Sequence, residues 1–108
     1  GLGDVYKRQG RGYLMLTWNV TYHCKSGQRE AFYQALCDLG IRANSLKEEG
    51  NLKYDYFLAA EAPEDLLLVE SWTTPELQQA HCQTEIFGRL QELKAQYCDS
   101  VQIDKFDH

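Results

Sequence analysis

At 108 residues, 44% hydrophobic and 25% charged, the chain has the make-up of one globular domain large enough for its own core. Sixteen acidic against eleven basic residues give a net charge of −5 and a pI near 5.1, which speaks against nucleic acid as partner. No apolar run nears the ~20 residues that span a bilayer and no signal-peptide pattern appears, so no membrane partner is expected.

Residues 1–12 are rich in Gly and charge and have no period. Asp4-Val5-Tyr6-Lys7-Arg8-Gln9 resembles translated adaptor sequence, so this stretch reads as a non-native or disordered leader. Met15 is then a candidate native start, and residues 13–108 form the domain. Residues 13–22 predict a strand with Leu14, Leu16, Trp18, Val20 and Tyr22 on one face and Met15, Thr17, Asn19 and Thr21 on the other. Ser26-Gly27 breaks it. The spacing of Phe32, Leu36, Leu39, Ala43 and Leu46 predicts one helix over 28–48, with Gly50 after it.

A second strand is expected over 52–59, with Leu52, Tyr54, Tyr56 and Leu58 on one side. Ala62-Pro63-Glu64-Asp65 makes a turn. Residues 66–72 form a third strand whose unbroken apolar character marks it as central. Thr74 is a natural N-cap and Pro75 fits the first helical position. Helical spacing then runs to Tyr97, interrupted near Gln83-Thr84, before a last strand over 100–106.

The order strand, helix, strand, strand, helix, strand predicts an α+β fold of the ferredoxin-like, split βαβ kind. It is a four-stranded antiparallel sheet with its helices on one face. One helical layer leaves the other face bare, and pairing two sheets face to face covers it, so a homodimer is expected. Tyr54 and Tyr56 are read most simply as aromatics of that interface.

Leu77 and His81 lie one turn apart on a helix face, with Trp72 at the end of the preceding strand. A stacking surface and a titratable group thus point toward one space, which suits a flat organic molecule. Each residue also has a plainer reading. His81 can be a satisfied core residue, Trp72 core or interface, and Asn19 a cross-strand bond. Glu48-Glu49 reads as a solvated helix end, though it sits at the unfavourable end of the helix dipole.

Cys24, Cys37, Cys82 and Cys98 have no Cys-x-x-Cys spacing. In His23-Cys24 and His81-Cys82 the adjacent side chains diverge, so no metal site is expected. Free thiols in a reducing cytoplasm follow.

Met15-Leu16-Thr17, Lys25-x-Gly27, Glu48-Glu49-Gly50, Glu70-x-Trp72 with His81, and Gln83-Thr84 resemble, in order and spacing, the antibiotic biosynthesis monooxygenase family. That family comprises dimeric ferredoxin-like barrels and includes quinol monooxygenases. Where members often carry a second histidine after the threonine, this chain has Glu85-Ile86. The resemblance implies oxygenation of a small hydroxylated aromatic or quinol without metal or flavin, so no cofactor. On that reading His81 is the base, Asn19 holds a ring oxygen, Trp72 walls the ring, and Tyr54 and Phe87 add lining. The Asn19, Trp72 and His81 set also invites comparison with haem-degrading relatives. Residues 48–55 resemble isomerases of a phosphorylated autoinducer-type ketone, for which Lys53 and Arg89 are the available phosphate ligands. A non-catalytic, small-molecule-binding dimer is the remaining reading.

Overall fold

The fold is seen in a computed structural model that describes residues 15–108. The leader expected over 1–12, with Tyr13 and Leu14, lies outside the described residues. The elements run β1 (Leu16–Cys24), α1 (Arg29–Leu39), α2 (Ile41–Leu46), β2 (Asn51–Leu58), β3 (Asp65–Trp72), α3 (Pro75–His81), α4 (Glu85–Tyr97) and β4 (Cys98–Asp107). The strands form one antiparallel sheet in the order β2-β3-β1-β4, the ferredoxin-like α+β arrangement.

Alternation along the strands assigns the two sheet faces. Leu16 pairs with Trp72, Trp18 with Glu70, Val20 with Leu68 and Tyr22 with Leu66, and this series faces the helices. Phe32 and Leu36 of α1, Ile41 of α2 and Leu90 of α4 complete that core. The Tyr22 and Phe32 rings meet edge to face at 5.1 Å. The other face carries Asn19, Thr21, Phe57, Leu67, Val69 and Phe106, with Phe57 and Phe106 about half exposed.

The tyrosines expected at a dimer interface are not on that open face. A bulge between Asn51 and Lys53 takes Leu52 out of the series and leaves Tyr54 opposite Glu70 and Tyr56 opposite Leu68, both beneath the helices. Tyr54 is fully buried, and Tyr56 packs edge to face on Tyr33 of α1 at 5.8 Å.

The helix expected over 28–48 is two helices. Gly40 takes φ 78°, and its N–H donates to the carbonyls of Leu36 and Cys37, each at 3.1 Å. This is a helix-ending arrangement that glycine adopts without steric penalty. The turn brings Ile41 and Ser45 inward in place of Ala43 and Leu46. The break near Gln83-Thr84 appears as expected. The Thr84 hydroxyl donates to the His81 carbonyl at 2.8 Å and accepts from the Phe87 N–H at 3.3 Å, closing α3 and opening α4. Thr74 caps α3 by accepting from the Leu77 N–H at 3.1 Å. None of the described helices is long and apolar enough to cross a membrane.

Candidate functional site

His81, the last residue of α3, is buried under the junction of the loop before β2 with β3 and α4. Its ring lies 4.9 Å from the Trp72 ring at a tilt of 39°, and meets Tyr54 and Phe87 edge-on at 5.7 and 5.3 Å. Four of the expected site residues therefore share one aromatic nest drawn from β2, β3, α3 and α4.

Nδ1 of His81 stands 2.6 Å from Oε1 of Glu48. An ionised carboxylate can only accept, so this contact places a ring proton on Nδ1, and in the neutral imidazole the lone pair is then on Nε2. Nε2 is buried and has no hydrogen-bond partner among the described residues. A buried polar nitrogen in this state is uncommon and needs an explanation, of which a ligand is one. Glu48 is thus not a solvated helix end. Its Oε2 accepts from Asn44 Nδ2 at 2.8 Å, and its side chain is only 18% exposed.

The surrounding groups fit a neutral, electron-rich wall. Burial pushes the Tyr54 phenol well above its ordinary range, so it stays protonated and acts as apolar surface. Glu70 beneath Trp72 accepts the indole N–H at 2.8 Å, and burial pushes its carboxyl up despite that bond. Lys94 of α4 reaches over the Phe87 ring at 5.9 Å, its ammonium pushed down by burial.

Asn19 does not join this group. It pairs with Val69 and Asp104, and with Leu16, Val20 and Tyr22 turned inward the alternation sends its side chain to the opposite sheet face. The role of holding a ring oxygen requires Asn19 to face the helices, and the register places it on the other face. Lys53 and Arg89 are also apart. Lys53 pairs with Asp55 at 3.0 Å on the open face, whereas Arg89 lines a cleft of about 520 Å³ between α2 and α4. Among the described residues no group of three or more His, Cys, Asp or Glu side chains is placed to hold a metal. Cys24 and Cys98, both free, are Cα partners across β1 and β4, and burial first, then the neighbouring Cys24, pushes the Cys98 thiol up to about 12.

Glu48 is the member of the site that sequence reasoning missed. Its one visible signal was an acidic residue at the helix end where a carboxylate is least favoured. Gly50 holds the adjoining loop against α3: its carbonyl accepts from the Thr73 N–H at 2.8 Å, and the Leu77 side chain packs on its Cα.

Solved structures resemble this chain closely in fold. A Bacteroides thetaiotaomicron protein of unknown function, described as a possible oxidoreductase, superposes with a TM-score of 0.79 at 27% identity, covering 90% of this chain and 100% of that one. A Pseudomonas aeruginosa protein gives 0.78 at 26% identity, over 90% and 95% of the two chains. One from Shewanella oneidensis gives 0.80 at 16% identity over 90% and 93%, a likeness of fold alone. No curated protein sequence matches. A family model described as antibiotic biosynthesis monooxygenase matches residues 15–93, most of the sequence and all but the last helical turn and strand, and the chain belongs to that family.

Proposed function

We propose that the protein is a monooxygenase acting on a small hydroxylated aromatic or quinol, with His81 as general base. The observation that carries this reading is a buried imidazole with one nitrogen held by Glu48 and the other unpartnered among Trp72, Tyr54 and Phe87. In this scheme the substrate ring stacks in the aromatic nest and its hydroxyl proton passes to Nε2. The resulting aryl oxide is electron-rich enough to give an electron to dioxygen, the co-substrate. Exclusion of water by the apolar walls keeps the oxide from being reprotonated by solvent. Family likeness favours chemistry that needs neither metal nor flavin. Homodimerisation through the open sheet face belongs to the same proposal, and it is supported by the half-exposed Phe57 and Phe106 beside Leu67 and Val69.

Oxygen uptake across a panel of quinols tests the reading, with His81→Ala beside the wild type and proton exchange on phosphorylated ketones run in parallel. Removal of a general base costs about 10²–10⁴ in rate. Uptake lost to that extent in His81→Ala supports the oxygenase. Exchange without oxygen uptake would move the assignment to an isomerase. Wild type and variant behaving alike in both assays would leave His81 as a core residue of a non-catalytic binding protein.

A further inference from the structure

The base proposed above is buried, yet the group behind it is not. Glu48 touches His81 Nδ1 with Oε1 and receives Asn44 Nδ2 on Oε2. The same side chain lines the cleft of about 520 Å³ between α2 and α4, together with Asn44, Thr84 and Arg89. The carboxylate therefore spans from a water-accessible hollow to an imidazole that water does not reach.

We infer that Glu48 is the positioning residue of His81: it fixes the Nδ1–H tautomer, carries the balancing negative charge when Nε2 takes a proton, and is itself held by Asn44. This rests on the reading of His81 as base. In the step concerned, one O–H bond of the substrate breaks, its proton forms the N–H bond at Nε2, and the electron pair stays on the substrate oxygen. The Nδ1 proton remains on the ring, hydrogen-bonded to Glu48. Without the carboxylate, the imidazole has two tautomers to choose from and the imidazolium is left as a buried charge without its counter-ion. The Leu77 and Thr73 contacts on Gly50 fix the loop that carries Glu48 against the helix that carries His81, so the 2.6 Å contact is a built one rather than a chance meeting of mobile side chains.

The open side of the cleft supplies a test that a merely structural glutamate would fail. Glu48→Ala leaves a hole bordered by water, Asn44 and Arg89 that a small carboxylate can enter, so formate should restore turnover to the variant in a saturable way. Glu48→Gln keeps the shape but removes the charge, and its amide can donate to Nδ1 and impose the wrong tautomer. Turnover in Glu48→Gln is expected to fall by about 10²–10⁴ with KM nearly unchanged, the pattern when the carboxylate behind a catalytic imidazole is neutralised. Nitrogen-15 NMR of labelled histidine gives a readout independent of activity: the wild type should show His81 protonated at Nδ1, and Glu48→Gln should not. A normal turnover in Glu48→Gln beside an inactive His81→Ala would overturn the inference and leave the base in place. If His81→Ala proves fully active, the base reading falls and takes the charge-balancing role of Glu48 with it; the NMR comparison then decides the tautomer-fixing role alone, which an Nδ1–H tautomer lost in Glu48→Gln upholds and the same tautomer in both removes. Should Glu48→Ala fail to fold, the Glu48→Gln measurements decide without it.

Discussion

Replacing Gly50 by alanine should be among the most damaging single-methyl changes available to this protein. Gly50 sits at φ 84°, a region that costs an L side chain about 1–2 kcal/mol. A Cβ there would stand 2.5 Å from Leu77 Cδ1 and 2.9 Å from both Leu77 Cβ and Thr73 Oγ1. Forcing a methyl into packed surroundings adds about 1–3 kcal/mol, and loss of glycine's freedom in the unfolded chain returns about 0.4–1. The net loss is roughly 2–4 kcal/mol. Gly40 is an internal control: it has φ 78°, but a Cβ there meets nothing within 4 Å, so Gly40→Ala should cost only the backbone part, about 1 kcal/mol. Urea unfolding of both variants measures the difference, and thermal melting should follow at about 4–8 °C per kcal/mol for a domain of this size. Leu77→Ala removes the nearest atom, so Gly50→Ala should cost less in that background. Equal losses for Gly50→Ala and Gly40→Ala would refute the claim that the loop before β2 is clamped on α3.

Two further outcomes are expected. Static light scattering at micromolar concentration should give twice the chain mass, and Val69→Asp on the open sheet face should return the monomer mass; a stable monomer in the wild type would remove the face-to-face pairing. Glu70 has its carboxyl pushed up by burial, so its contribution to stability is present below the unfolded carboxyl range of about 4.3 and is lost as pH rises through the raised folded value. Glu70→Gln can still accept the Trp72 indole N–H but does not titrate. Urea midpoints at pH 4 and pH 8 should show the variant gaining on the wild type at the higher pH, and a constant gap would contradict the assignment.

Much of the scaffold is legible in the residues because the strands obey a period of two. The unbroken apolar run ending at Trp72 identifies β3 as central, the Thr74-Pro75 pair marks a helix start that the hydrogen bonds reproduce, and the interruption near Gln83-Thr84 falls where α3 ends and α4 begins. The break at Gly40 is not legible, since an isolated glycine in a periodic stretch is compatible with a continuous helix. Asn19 shows two signals in conflict. Alternation put it on the strand face opposite Val20 and Tyr22, whereas likeness to haem-degrading relatives drew it toward the ring; the observed register, with Val20 and Tyr22 under the helices, decides for the open face. Tyr54 and Tyr56 were assigned to one strand face correctly, but period two cannot say which face the helices cover. Glu48 was out of reach for a different reason. Its partner lies 33 residues away, and no local pattern encodes a contact made only when the loop before β2 meets α3.

The chain holds two indoles in unlike settings, and this makes the site visible to light. Trp72 lies 4.9 Å from the His81 ring, while Trp18 sits under the Lys105 ammonium at 4.5 Å. A charged imidazolium quenches indole emission far more strongly than a neutral imidazole. In a Trp18→Phe background the remaining emission therefore reports whether His81 is charged, with no label attached. On the proposed mechanism, stopped-flow mixing with a hydroxylated aromatic in the absence of oxygen would separate the arrival of the proton on the ring from every later event.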